Sequence, residues 1–133
     1  MARFIKSRKK SQGASPGSLI FIGNQKMEKP EIHLMVYNKE TLEEKQLTAI
    51  DEIPETIAEG SVLWVNVYGL QDTELIARAG ERFFIHPLEL EDILNTDQRP
   101  KVTENSSNLT FFLKMLHYHD DTGKVTGDQI SIV

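Results

Sequence analysis

Cysteine is absent from this 133-residue chain. That excludes disulfides, thiolate zinc sites and cysteine nucleophiles, and it suits a reducing compartment. Long apolar runs are absent as well. No stretch approaches the ~20 consecutive apolar residues needed to span a bilayer, and no apolar run follows the N-terminal basic residues as a secretory signal requires. On these grounds the chain as given reads as soluble and cytosolic. No internal repeat, glycine-rich phosphate loop or Ser/His/Asp order stands out, so catalysis has no specific support and an enzyme is not expected.

What is present is the make-up of one globular domain. Hydrophobic residues account for 39% and charged residues for 26%, enough to bury a core of ordinary size. The net charge of −5 conceals an asymmetry. Arg3, Lys6, Arg8, Lys9 and Lys10 all precede the first acid, so the body that follows is strongly acidic. Nucleic acid is not an expected partner of such a body, because phosphate binding needs clustered Lys and Arg; divalent cations suit it better. Residues 1–16, basic and then rich in Gly, Ala, Ser and Pro, read as a disordered basic arm.

Gly17 to Gly23 (GSLIFIG) is a short strand or extended lead-in. Glu31 to Asn38 alternates as a strand, with Ile32, Leu34 and Val36 on one face and His33, Met35 and Tyr37 on the other. Seven acids face a single Lys45 between Glu40 and Glu59. That segment reads as a weak helix or loop around Thr41–Glu44, an extended piece at Leu47–Ile50 and a turn or helix begun by Pro54, with a solvated acidic face. Val62 to Leu70 (VLWVNVYGL) is a near-continuous apolar run, the pattern of a central strand buried on both faces. Asp72 or Thr73 caps a helix to about Phe84, with Leu75, Ile76, Ala79 and Phe83 as its buried stripe. Leu109 to Tyr118 is a strand, Asp120 to Gly123 a hairpin turn and Asp128 to Val133 a further strand. That last strand stops in mid-pattern, so a longer parent chain is expected.

Between these lies HPLELEDILNTDQRPK, His86 to Lys101. Pro87 suits the first helical position. Leu88, Leu90, Ile93 and Leu94 are placed to pack inward. Glu89, Glu91 and Asp92 fall in the first two turns, where the helix dipole favours negative charge; this alone accounts for the acids. Alternatively they are ligands for a hard cation, since Mg²⁺ commonly uses one or two carboxylates plus water. Glu89 and Asp92 share a face while Glu91 diverges by about 100°, and one helix cannot complete such a site. On spacing alone the structural account leads. His86 with Glu89 has zinc-ligand spacing but lacks a third ligand. His117 and His119 place two imidazoles on one strand face beside Asp120 and Asp121, able to hold Zn²⁺ or Ni²⁺ weakly, although a wet strand end is the commoner meaning. Pro100 extends Arg99, which is placed to pair with Asp92 or Asp97 in a structural role.

The run IHPLELEDILNTDQRPKV, Ile85 to Val102, closely resembles the signature of the cytosolic domain of the CorA family of magnesium and cobalt transporters. Trp64-Val65-Asn66-Val67-Tyr68-Gly69-Leu70, the helix begun at Asp72, Leu113-Lys114-Met115 and Asp128-Gln129-Ile130-Ser131 match in order and spacing, so the resemblance covers roughly residues 16–133. It implies an α/β domain, a mixed sheet with helices on both faces, truncated before a long stalk helix. Residues 17–133 would be an incomplete N-terminal cytosolic regulatory domain. The resemblance also implies a homopentameric channel anchored in the inner (plasma) membrane by C-terminal helices that lie outside this chain. In such a channel, Mg²⁺, or Co²⁺, bound between neighbouring subunits favours the closed state. On the same basis Asp92, with Glu91 beside it, contributes half of that metal site. A related zinc transporter and a stand-alone metal-binding α/β protein are the competing readings.

Overall fold

The computed structural model describes residues 13–133. The expected basic arm therefore falls, over residues 1–12, outside the described residues. Six strands and two α-helices follow in the order β1 (Glu31–Tyr37), β2 (Leu42–Leu47), β3 (Val62–Tyr68), α1 (Thr73–Phe83), α2 (Pro87–Leu94), β4 (Lys101–Glu104), β5 (Leu109–His119) and β6 (Lys124–Ile132), with a short 3-10 turn at Ile50–Glu52. The mixed α and β make-up is as expected. The strands are grouped into two antiparallel three-stranded sheets, β2-β1-β3 and β4-β5-β6, where a single mixed sheet was expected.

Strand β1 forms as its alternation predicts: Ile32 and Leu34 are buried and His33 is partly exposed. The acidic segment after it differs from expectation. LEEKQL is neither helix nor loop but the strand β2, paired in register with β1 from Ile32–Leu47 to Tyr37–Leu42. Asn38 makes the turn, its side-chain oxygen accepting from the backbone N–H groups of Glu40 and Thr41. Pairing with β1 overrides the weak strand propensity of Glu and Lys, and a charged outer strand discourages further pairing. Pro54 starts no helix.

Strand β3 is also a correction. It lies at the side of its sheet, with β1 in the centre. Leu63, Val65 and Val67 pack inward, whereas Val62, Trp64 and Tyr68 are exposed. Its apolar run reflects strand propensity on both faces rather than burial on both.

Helix α1 bridges two cores. The Asp72 side chain caps it by accepting from the Leu75 N–H at 3.0 Å. Leu75, Ala79 and Phe83 pack on Ile32, Leu34, Leu47, Ile50 and Ile53. Ile76 joins the second core with Leu90, Ile93, Leu94 and Phe112. Leu94 and Phe112 are completely enclosed at 0% and 1% exposure, and burial of side chains this size contributes about 1.5–3 kcal/mol each. The two helices approach closely at Gly80, where a Cβ would stand 2.4 Å from Leu90 Cδ1. The second sheet presses Phe112 onto α2 and turns Leu113, Met115, Ile130 and Ile132 outward. Strand β6 begins at Lys124, earlier than its alternation suggests, because the Asp120–Gly123 turn lets the hairpin pair from its first residue.

Candidate cation site on the second helix

Helix α2 starts where Pro87 predicts. His86 is its cap: Nδ1 accepts from the Leu88 N–H at 3.2 Å, and the His86 N–H donates to Glu89 Oε2. Leu90, Ile93 and Leu94 face inward as expected, but Leu88 is 49% exposed. The inward position in this first turn belongs to Glu89 instead.

Glu89 is one of the two buried polar side chains among the described residues. Its Oε1 accepts from Thr110 Oγ1 at 3.0 Å and its Oε2 from Asn105 Nδ2 at 2.9 Å. With the His86 N–H, these donors tie the helix start to β5 and to the turn before it. A carboxylate so enclosed has its acceptor sites filled by the protein. Nothing in the helical spacing distinguished Glu89 from Glu91 or Asp92; the Thr110 and Asn105 that occupy it come from elsewhere in the chain.

Glu91 and Asp92 lie at the other end of the helix, half-buried. Glu91 Oε2 accepts from the Gly17 N–H at 2.8 Å, holding the lead-in segment against α2. That segment, expected as a strand or extended lead-in, opens in a turn at Gly17 and forms no strand, but touches α2 again at an isolated parallel bridge between Ile22 and Asn95. The Ile22 N–H donates to the Leu94 carbonyl at 2.9 Å, and the Ile22 carbonyl accepts from the Thr96 N–H. Asp92 carries two partners: Oδ1 accepts from Gln98 Nε2, and Oδ2 pairs with Lys101 Nζ. Lys101 also stands 5.0 Å above the Phe112 ring centre. The expected Arg99 pairing is not formed; Arg99 is exposed, and the strand after Pro100 brings Lys101 to Asp92 instead.

The surroundings of Asp92 are polar and partly charged. Lys114 Nζ donates to the Thr96 carbonyl at 2.6 Å. Burial pushes its pKa down, against the opposing pull of Asp97 and Asp128. Around Asp92, then, Lys101, Lys114 and the amides of Gln98 and Gln129 gather between α2 and the second sheet. Among the described residues no group of three or more His, Asp or Glu side chains could hold a metal ion. Asp92 and Glu91 offer oxygen atoms of the kind that hard cations prefer, but Asp92 is held by Lys101 and Gln98 and Glu91 by the Gly17 N–H. His86 and Glu89 serve the helix cap, so the zinc spacing between them is spent on structure.

Among the described residues no helix is long and apolar enough to cross a membrane. No family model matches the chain. Over 122 residues, 92% of its length, it is 34% identical to a protein of Thermotoga maritima named cobalt/magnesium transport protein CorA, and it spans 34% of that relative. With the fold and the His86–Lys101 helix in place, the chain is similar over nearly its whole length to a stretch corresponding to about a third of that cobalt/magnesium transport protein.

Proposed function

We propose that this chain is the cytosolic Mg²⁺-sensing domain of a CorA-type divalent-cation channel, and that Asp92 and Glu91 supply one side of a cation site completed by a neighbouring subunit of a homopentamer. The similarity to a cobalt/magnesium transport protein carries the proposal. Two features of the chain support it. Asp92 lies one turn along α2 from the buried Glu89 network and shares no partner with it, so a change of partner there need not break the core. Its one charged partner among the described residues is Lys101, with the Asp92 side chain 26% and the Lys101 side chain 35% exposed.

A bound Mg²⁺ would neutralise carboxylates that otherwise repel across the subunit boundary. Lys101 does the same for Asp92 within one chain, so cation binding there competes with Lys101 for Oδ2. Glu91, held to Gly17, fixes the lead-in beside the site and supplies a second oxygen nearby. A ligand shifts a two-state balance only by its differential affinity for the two states, and a site split between subunits has that property because its halves meet in one arrangement and separate in the other. The domain acts by binding rather than catalysis, on the cytoplasmic side of the inner membrane.

The test uses a transporter that carries this domain. Replacing Asp92 with Asn or Lys is expected to weaken the inhibition of uptake by internal Mg²⁺, and unchanged inhibition would sink the assignment. The isolated chain holds half of the site, so calorimetry should find weak Mg²⁺ binding or none. Tight one-to-one binding would contradict the shared-site proposal.

A further inference from the structure

Strand β4 opens on the residue that closes the Asp92 carboxylate. Lys101 lies opposite Phe112 in the β4–β5 register, and side chains directly opposite across a strand pair share one face. That face is the one packed on α2, since Phe112 joins Leu90, Ile93 and Leu94. The Lys101 ammonium stands 5.0 Å above the Phe112 ring centre and donates to Asp92 Oδ2, while Gln98 Nε2 occupies Oδ1. Both carboxylate oxygens thus meet N–H donors of the same chain, and one of those donors carries a full positive charge.

We propose that Lys101 is a tethered counter-ion that sets the Mg²⁺ concentration to which the Asp92 site responds. The inference rests on the reading of Asp92 and Glu91 as one side of a shared cation site, and adds the residue that fixes its threshold. Two effects act in the same direction. The ammonium occupies Oδ2, so only a fraction of the molecules present an open carboxylate, and the apparent affinity for a second cation falls by that fraction. Once displaced, the ammonium stays close, because pairing with Phe112 holds the Lys101 backbone in place; from there it repels a dication at Asp92.

Displacement leaves no charge stranded. A buried ion that loses its partner is costly, but the Lys101 side chain is 35% exposed and keeps the Phe112 ring beneath it. Gln98 is neutral, so its hydrogen bond orients the carboxylate without opposing a cation there.

Mg²⁺ titration of the isotope-labelled chain, followed through the Asp92 amide signal, tests this alongside inhibition of uptake in a transporter that carries the domain. Lys101→Met keeps the stem over Phe112 and removes the charge. A unit charge ~5 Å from a dication alters its affinity by about 10-fold in water, so Lys101→Met should respond at about a tenth of the Mg²⁺ that the parent needs, in both measurements. Lys101→Gln makes the same test with a polar side chain. Lys101→Arg, which retains the charge, should respond as the parent does, and so should Lys45→Met, which removes a charge from strand β2. Where the half-site of the isolated chain is too weak to titrate, the transporter decides. A parent-like midpoint in both Lys101→Met and Lys101→Gln, beside an Asp92→Asn variant that has lost the response, would overturn the role of Lys101 and leave the shared site standing. An Asp92→Asn variant with the parent's response would overturn the site, and the role of Lys101 with it.

Discussion

The two ends of helix α2 carry the same functional group and use it differently. In the first turn Glu89 points inward and is enclosed by Thr110, Asn105 and the His86 N–H. In the last turns Asp92 points to a wet margin and is held by Lys101 and Gln98. The first arrangement joins the helix to the second sheet. The second holds Asp92 by an amide and an ammonium outside the core. A carboxylate becomes structural when donors from distant parts of the chain fill its oxygens in a dry place; it stays available when its partner is a mobile ammonium at the surface.

The sharpest way to break this contrast is to remove Glu89. Glu89→Ala leaves the fully buried Thr110 hydroxyl and the Asn105 amide without their acceptor. Deleting the acceptor costs about 2–3 kcal/mol, because the orphaned Thr110 hydroxyl stays desolvated while the exposed Asn105 amide can turn to water. Urea unfolding should show a lower midpoint with an unchanged slope. A loss below about 0.5 kcal/mol, the size of an ordinary surface substitution, would mean that Glu89 is no more structural than Asp92.

A smaller effect is expected one residue along the inward face. Leu90 packs against Gly80 of α1, with no room for a Cβ. In an exposed helix interior Gly→Ala stabilises by roughly 1 kcal/mol. At Gly80 the overpacking of a buried leucine outweighs that gain by a further 1–2 kcal/mol or so, so Gly80→Ala should lower the thermal midpoint. A raised midpoint would show that Leu90 moves freely and that the inward half of α2 is less constrained than its burial suggests.

Much of this helix was legible in the sequence. Pro87 announced its start, and Leu90, Ile93 and Leu94 its inward face. The division of labour among its acids was not, because it depends on what β4, β5 and the turn between them bring up. Glu89 and Asp92 are three residues apart on one helix face, yet Thr110 reaches only the first and Lys101 only the second. The same limit explains β2 and β3. LEEKQL has the composition of a loop until β1 offers it a pairing edge, and VLWVNVY has the composition of a buried strand until its outer face proves uncovered. Short-range pattern specifies which elements form; which faces are covered depends on contacts far apart in sequence. The metal role proposed for Asp92 and Glu91 rests on the resemblance alone, since their spacing suits a capped helix equally well.

The smallest expected effect bears on the other end of α2. Asp92 and Lys101 form an ion pair about a quarter to a third exposed along both side chains. Pairs of this kind contribute about 0–1 kcal/mol, because water screens the attraction and ordering two side chains opposes it. Asp92→Asn and Lys101→Met should therefore each lower stability by less than about 1 kcal/mol, with a coupling between them of similar size that fades as salt rises. Asn can still accept from Gln98, and Met can keep the contact with Phe112, so neither change empties the region. A coupling above about 2 kcal/mol, insensitive to salt, would place Asp92 in the same class as Glu89 and remove the freedom that a cation-exchanging residue needs. A small, salt-sensitive coupling has the opposite consequence: an Asp92 substitution would then perturb cation binding without perturbing the fold, and any change it causes in the response to Mg²⁺ could be assigned to the site itself.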